Sequence, residues 1–172
     1  MRALNAGMVI HQPLRPQPQM IRGILCPPEV DLQLSGNDPH HGLPSIGVAV
    51  TIGKFVAGRS LTISRRKPRR QWRGRDIELA QLEGIDEVWV LYFRKPRPGW
   101  RLLGRFFEQD ALALLRIKDK RDIGGDYEPA AAEVISDWRR LFGDTRPCTG
   151  DDLSAYLSGA HYNVDENTEI AG

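Results

Sequence analysis

Between Val88 and Arg121 the chain reads as strand after strand, and most polar positions along it are cations. Val88-Trp89-Val90-Leu91-Tyr92-Phe93 is apolar, aromatic and β-branched, the chemistry of a buried strand. Arg94-Lys95-Pro96-Arg97-Pro98-Gly99 breaks the run, with two prolines and a glycine supplying a turn. Trp100 to Phe107 resumes the pattern, Glu108-Gln109-Asp110 turns again, and Ala111 to Ile117 forms a third apolar stretch. Arg116, Lys118, Lys120 and Arg121 close it. These features predict a small antiparallel sheet with a cationic surface, and the simplest partner for such a surface is a polyanion, RNA or DNA.

After the strands comes the clearest helix. Pro129 suits a first helical position, because its missing donor would be unpaired there anyway. Ala131, Val134, Ile135, Trp138, Leu141 and Phe142 recur at spacings of three and four, an apolar stripe that docks on a sheet, and Gly143 stops it. Trp138 and Trp89 read as core residues, and Trp100, following a turn, as the exposed aromatic. A second short helix is expected from Asp151 to Gly159. The fold class expected is α+β, a small antiparallel sheet packed against a C-terminal helix with an irregular N-terminal extension.

The chain divides accordingly. Residues 1–58 read as a poorly structured Pro/Gly-rich extension, since seven of the twelve prolines fall in the first 44 residues. Within it, Ser45 to Ile52 is a candidate strand. Residues 59–75 are a basic linker in which Trp72 lies among eight arginines and lysines. Asp76 is placed to cap a short turn or helix through Ile77, Leu79 and Leu82. Residues 76–160 form the α+β domain, and 161–172 an acidic tail.

Net charge is +2, yet residues 59–121 hold 17 cations against 8 acids and residues 122–172 hold 3 against 11. A cationic middle beside an acidic end hints at a nucleic-acid-binding surface. Arg65, Arg66, Lys67, Arg69, Arg70, Arg94, Lys95, Arg97, Trp100 and Arg121 are the candidates for phosphate contact and base stacking. Alternation along the second strand places Arg101, Leu103 and Arg105 on one face and Leu102, Gly104 and Phe106 on the other.

Several classes are disfavoured. Two cysteines in unlike contexts make no disulfide framework, which points to a reducing cytoplasm. No run of ~18 apolar residues offers a membrane span. No cysteine or carboxylate sits at ligand spacing from His11, His40 or His41, no phosphate-binding glycine loop occurs, and no cofactor or metal is expected.

In order, these pieces resemble the RelE/ParE superfamily of bacterial toxins, especially its phage-derived HigB-like branch. Ile85-Asp86-Glu87-Val88-Trp89-Val90 resembles that branch's first strand, Pro98-Gly99-Trp100-Arg101-Leu102-Leu103 its Arg-rich second, and Ala113 to Arg121 its third, which leads into paired lysines. The likeness covers about residues 82–140. It implies a metal-independent endoribonuclease that inhibits translation at the ribosome, masked by a small antitoxin protein. Arg101, Arg105 and Arg116 would stabilise the phosphorane charge, Lys118 or Lys120 would protonate the leaving oxygen, and Tyr127 would orient the attacking 2′-hydroxyl. The chain departs from the pattern at Arg116, where the family has histidine, and upstream of residue 76, where no helical hairpin is recognisable. The rival readings are a nucleic-acid-binding module without catalysis and a protein-interaction domain with incidental charge.

Overall fold

The computed structural model describes residues 7–13, 19–38, 42–67, 77–159 and 161–163, without the side chains of Ser45, Arg66, Lys67 and 161–163. Eight strands form one mixed sheet: β1 (Val9–Ile10), β2 (Gly23–Cys26), β3 (Leu61–Lys67), β4 (Leu79–Leu82), β5 (Trp89–Phe93), β6 (Trp100–Glu108), β7 (Ala111–Asp119) and β8 (His161–Asn163). Their spatial order is β1-β2-β7-β6-β5-β4-β3-β8. The middle of the sheet, β4 through β7, is an antiparallel meander. The flanks make it mixed, with β2 parallel to β7, and β3 parallel to both β4 and β8.

Helices cover both faces. On one side lie α1 (Pro28–Leu34) and α2 (Ser45–Val56), with a 3-10 turn at Leu153–Ala155. Their Val30, Leu34, Val48, Ile52 and Phe55 meet Ile24, Leu61, Ile63, Leu91, Leu102 and Phe106 from the strands. The opposite side carries α3 (Lys120–Ile123) and α4 (Glu128–Phe142). There Ala131, Val134 and Trp138 pack on Val88, Val90, Leu103, Ala113 and Leu115. Strand β5 lies between the two cores, and all five of its residues are buried, which is why Trp89 to Phe93 is apolar throughout instead of alternating.

The α+β class and the docking of the 128–142 helix agree with the sequence reading; the sheet is larger than expected and mixed. The segment expected to be an irregular extension supplies β1, β2, α1 and α2. Ser45 to Ile52, a candidate strand, is helical instead: Val48, Ile52, Phe55 and Val56 are fully buried while Ile46 and Val50 stay exposed. A short, mostly apolar run cannot distinguish the two periods, and packing against the sheet decided it. The expected basic linker holds β3, because Leu61 and Ile63 plug into the core. Leu79–Leu82 is a strand, where Asp76 was expected to start a turn or helix; Asp76 itself lies outside the described residues. The second short helix shrinks to the single 3-10 turn, and His161–Asn163, assigned to the acidic tail, adds an edge strand. Among the described residues no helix is long and apolar enough to cross a membrane.

A glycine and a bulge decide where the side chains of β6 and β7 point. In β6, a Cβ on Gly104 would stand 2.0 Å from the Ala113 carbonyl oxygen, so only glycine lets the two strands meet there. Beside it the register shifts: Leu103 faces Arg116 while Gly104 faces Leu114, leaving Leu115 as an extra residue. The bulge resets the alternation. Leu112, Leu114 and Ile117 face the α1–α2 core, Leu115 packs in the α4 core, and the side chains of Arg116 and Lys118 reach carboxylates of α4.

Candidate nucleic-acid interface

Strands β5 and β6 are joined by the turn Arg94–Gly99, in which both the Lys95–Pro96 and Arg97–Pro98 peptide bonds are cis. Gly99 ends the turn at φ +86°, where an added Cβ would meet the Phe93 carbonyl oxygen at 2.6 Å. Arg94, Lys95 and Arg97 are exposed along this turn. Together with Pro98, Arg101 from β6 and Lys120 from the start of α3, they line an open basin of about 700 Å³. Every ionisable residue lining it is a cation. Among the described residues no carboxylate pairs with Lys95, Arg97 or Lys120.

Arg101 is 4% exposed and is held from several sides. Its Nε–H donates to the Tyr127 hydroxyl at 3.0 Å, an Nη1–H donates to the Trp100 carbonyl at 2.9 Å, and its guanidinium lies 4.7 Å from the Tyr92 ring centroid. Arg94 lies at the same distance from that ring and donates to the Ile77 carbonyl at 2.7 Å. Tyr92 therefore carries two of the basin's cations on its π faces. Asp119 is near enough to feel Arg101, but its carboxylate is engaged by the Arg121 backbone and side chain. That hydrogen bond, more than the charge itself, holds Asp119 below the ordinary aspartate range.

The remaining expected site residues lie elsewhere. Arg105 shares a sheet face with Arg101 yet is buried beneath α4, its guanidinium 5.3 Å from the Trp138 ring and an Nη2–H donating to the Asp86 carbonyl at 2.8 Å. The same nitrogen meets the Asp86 carboxylate at 2.7 Å. Arg116 donates to Asp137, and Lys118 to Glu133 at 2.8 Å. Arg116 and Lys118 line a separate, smaller opening of about 250 Å³ with the carboxylates of Glu29 and Asp137, so Arg105, Arg116 and Lys118 do not join Arg101 at the basin as their expected common role in catalysis requires. Arg121 is three-quarters exposed but paired with Asp119.

Arg65 folds back, its guanidinium 5.4 Å from the Tyr156 ring, donating to Gln81 at 3.1 Å and to the Gly150 and Asp151 carbonyls. Trp100 is half-buried against the α1–α2 core, not the exposed stacking platform expected. Arg66 and Lys67 sit in β3 without described side chains, and Arg69 and Arg70 lie outside the described residues.

Sequence reading found the basin's five cations but missed Tyr92, which looked like one more core aromatic. Its position two residues before Arg94 at a strand end was the available signal. No family model matches the chain, and neither a curated protein nor a solved structure similar to it was found.

Proposed function

We propose that this protein binds nucleic acid, RNA in the sharpest version, by seating backbone phosphates in the basin between the β5–β6 turn and α3. The observation that carries the reading is the lining itself: Arg94, Lys95, Arg97, Arg101 and Lys120 around one opening, with no carboxylate among them. Like charges gathered this way repel one another until an anion enters, so the arrangement favours a polyanionic ligand. Exposed lysines supply point charges and the arginines planar forks, the two kinds of donor that phosphate oxygens accept. Such contacts position a backbone and carry little base specificity.

The decisive experiment is polynucleotide binding over a salt series. Affinity should fall steeply and linearly on a double-logarithmic plot, with a slope of about −0.7 per phosphate contact for a single strand. Lys95→Ala/Arg97→Ala/Lys120→Ala should flatten that slope by about 2–3. No binding at low salt, or an unchanged slope in the triple variant, would overturn the reading.

One observation favours the stronger version, RNA cleavage of the toxin type with a small antitoxin as partner. Arg101, bonded to Tyr127, stands beside Lys120 in the basin, so three of the six residues expected to act on RNA remain near one opening. Attack of a 2′-hydroxyl on the adjacent phosphate builds negative charge that a fixed guanidinium stabilises. Incubation with RNA in chelator should then yield 2′,3′-cyclic phosphate ends, and less of them with Arg101→Ala. Binding without such products leaves the module without catalysis.

A further inference from the structure

Away from the basin, the fold assembles a histidine, a cysteine and a carboxylate from three separate segments. Strand β1 runs antiparallel to β2 with Val9 opposite Cys26 and Ile10 opposite Leu25, and the His11 N–H extends the ladder to the Ile24 carbonyl at 2.9 Å. His11 and Cys26 are thus diagonal neighbours on one face of the ribbon. Asp31 reaches them from α1. One ligand atom from each residue lies within 4.8 Å of the other two, and the His11 Nδ1–H donates to Asp31 Oδ1 at 2.7 Å. His11 is 1% exposed and Cys26 0%, while the Asp31 side chain keeps 34%.

We infer that His11, Cys26 and Asp31 form a site for one divalent transition-metal ion of the Zn²⁺ kind. Sulfur, nitrogen and oxygen donors together suit a borderline-soft cation and poorly suit Ca²⁺ or Mg²⁺, which take oxygen. Bond lengths of about 2.0–2.3 Å around a tetrahedral ion place ligand atoms ~3.3–3.8 Å apart, so the His11–Asp31 pair, now 2.7 Å apart, opens slightly to admit the ion, within a cluster whose ligand atoms all lie within 4.8 Å. Three protein ligands leave a fourth position for water. Binding releases one proton, from the Cys26 thiol, and moves the imidazole proton from Nδ1 to Nε2, so that the ion replaces the proton now shared with Asp31.

Burial, then the nearby Asp31 and Glu29 carboxylates, push the Cys26 thiol up to about 12. A buried thiol beside acidic groups is a poor nucleophile, and its complete burial keeps substrates away, so the cluster does not read as a Cys-His-Asp hydrolase. A cation reverses the balance, because it stabilises the thiolate and compensates the carboxylates. The ion would also tie the two-residue edge strand β1 to β2 and α1, fastening a ribbon too short to hold firmly by its own hydrogen bonds.

The test uses the full chain, stripped with chelator and titrated with Zn²⁺ against a chromogenic competitor, then with Co²⁺ as a spectroscopic probe. The expected result is one equivalent bound, about one proton released, and a thiolate-to-cobalt charge-transfer band. That band should vanish in Cys26→Ser and persist in Cys148→Ser, the other cysteine in the chain. Asp31→Asn, at a partly exposed helix position that leaves the core intact, should weaken Zn²⁺ by at least about tenfold. Circular dichroism checks that each variant is folded. The inference is overturned if folded wild type takes up no ion, if the cobalt band follows Cys148, or if Asp31→Asn binds as tightly as wild type.

Discussion

The α4 face and the β5–β6 turn are built from the same residue types and differ in what stands opposite them. Under α4, Arg105, Arg116 and Lys118 meet Asp86, Glu133 and Asp137 of the same chain. At the turn, Lys95, Arg97 and Lys120 have no such partner among the described residues. A cation in sequence is therefore no guide to a binding site by itself; the acids brought over it by the fold decide. On the α4 face Arg116 and Lys118 join the sheet to the helix, and around the turn Lys95, Arg97 and Lys120 have no carboxylate partner among the described residues.

The contrast can be attacked from either side. Trp138→Ala should have the largest effect. It empties the space between α4 and the sheet and removes the ring against Arg105, at a cost of about 3–5 kcal/mol read by chemical denaturation. Polynucleotide affinity of the folded fraction should not change. Lys95→Ala/Arg97→Ala should do the opposite, lowering affinity about tenfold or more at low salt while stability stays within ~0.5 kcal/mol. Arg116→Ala should cost about 1 kcal/mol or less, since the group is 41% exposed and its ion pairs are screened, and should leave binding untouched. A loss of binding there would dissolve the distinction between the two regions.

The smallest effect concerns acid. Asp119 is held below its ordinary value of 3.8, so its contact with Arg121 stabilises the fold fully above that value and is lost as pH falls through the lowered one. Acid titration of Asp119→Asn should therefore show a shallower loss of stability below about pH 4 than wild type.

Legibility followed the range of the interaction. The 128–142 helix was readable because its stripe, its proline and its glycine are local. The facing of Arg101 and Leu103 was readable because alternation is local too. Arg116 was not, since its direction depends on a bulge set by Gly104 on the neighbouring strand. The N-terminal third misled for the same reason. Pro27, Pro28 and Pro44 stand at the starts of α1 and α2 instead of interrupting them, and β2 and α2 pack on β7 and β5, far along the chain. His11, Cys26 and Asp31 were invisible as a group because only the pairing of β1 with β2 brings them together.

The parallel pairing of Gly23–Leu25 with Ala111–Ala113 has a consequence for synthesis. The amino-terminal helices emerge from the ribosome long before the strand that anchors β2 exists. Their apolar faces cannot be buried as in the finished fold until β7 has been made, which makes the packing of the amino-terminal helices a late, long-range step.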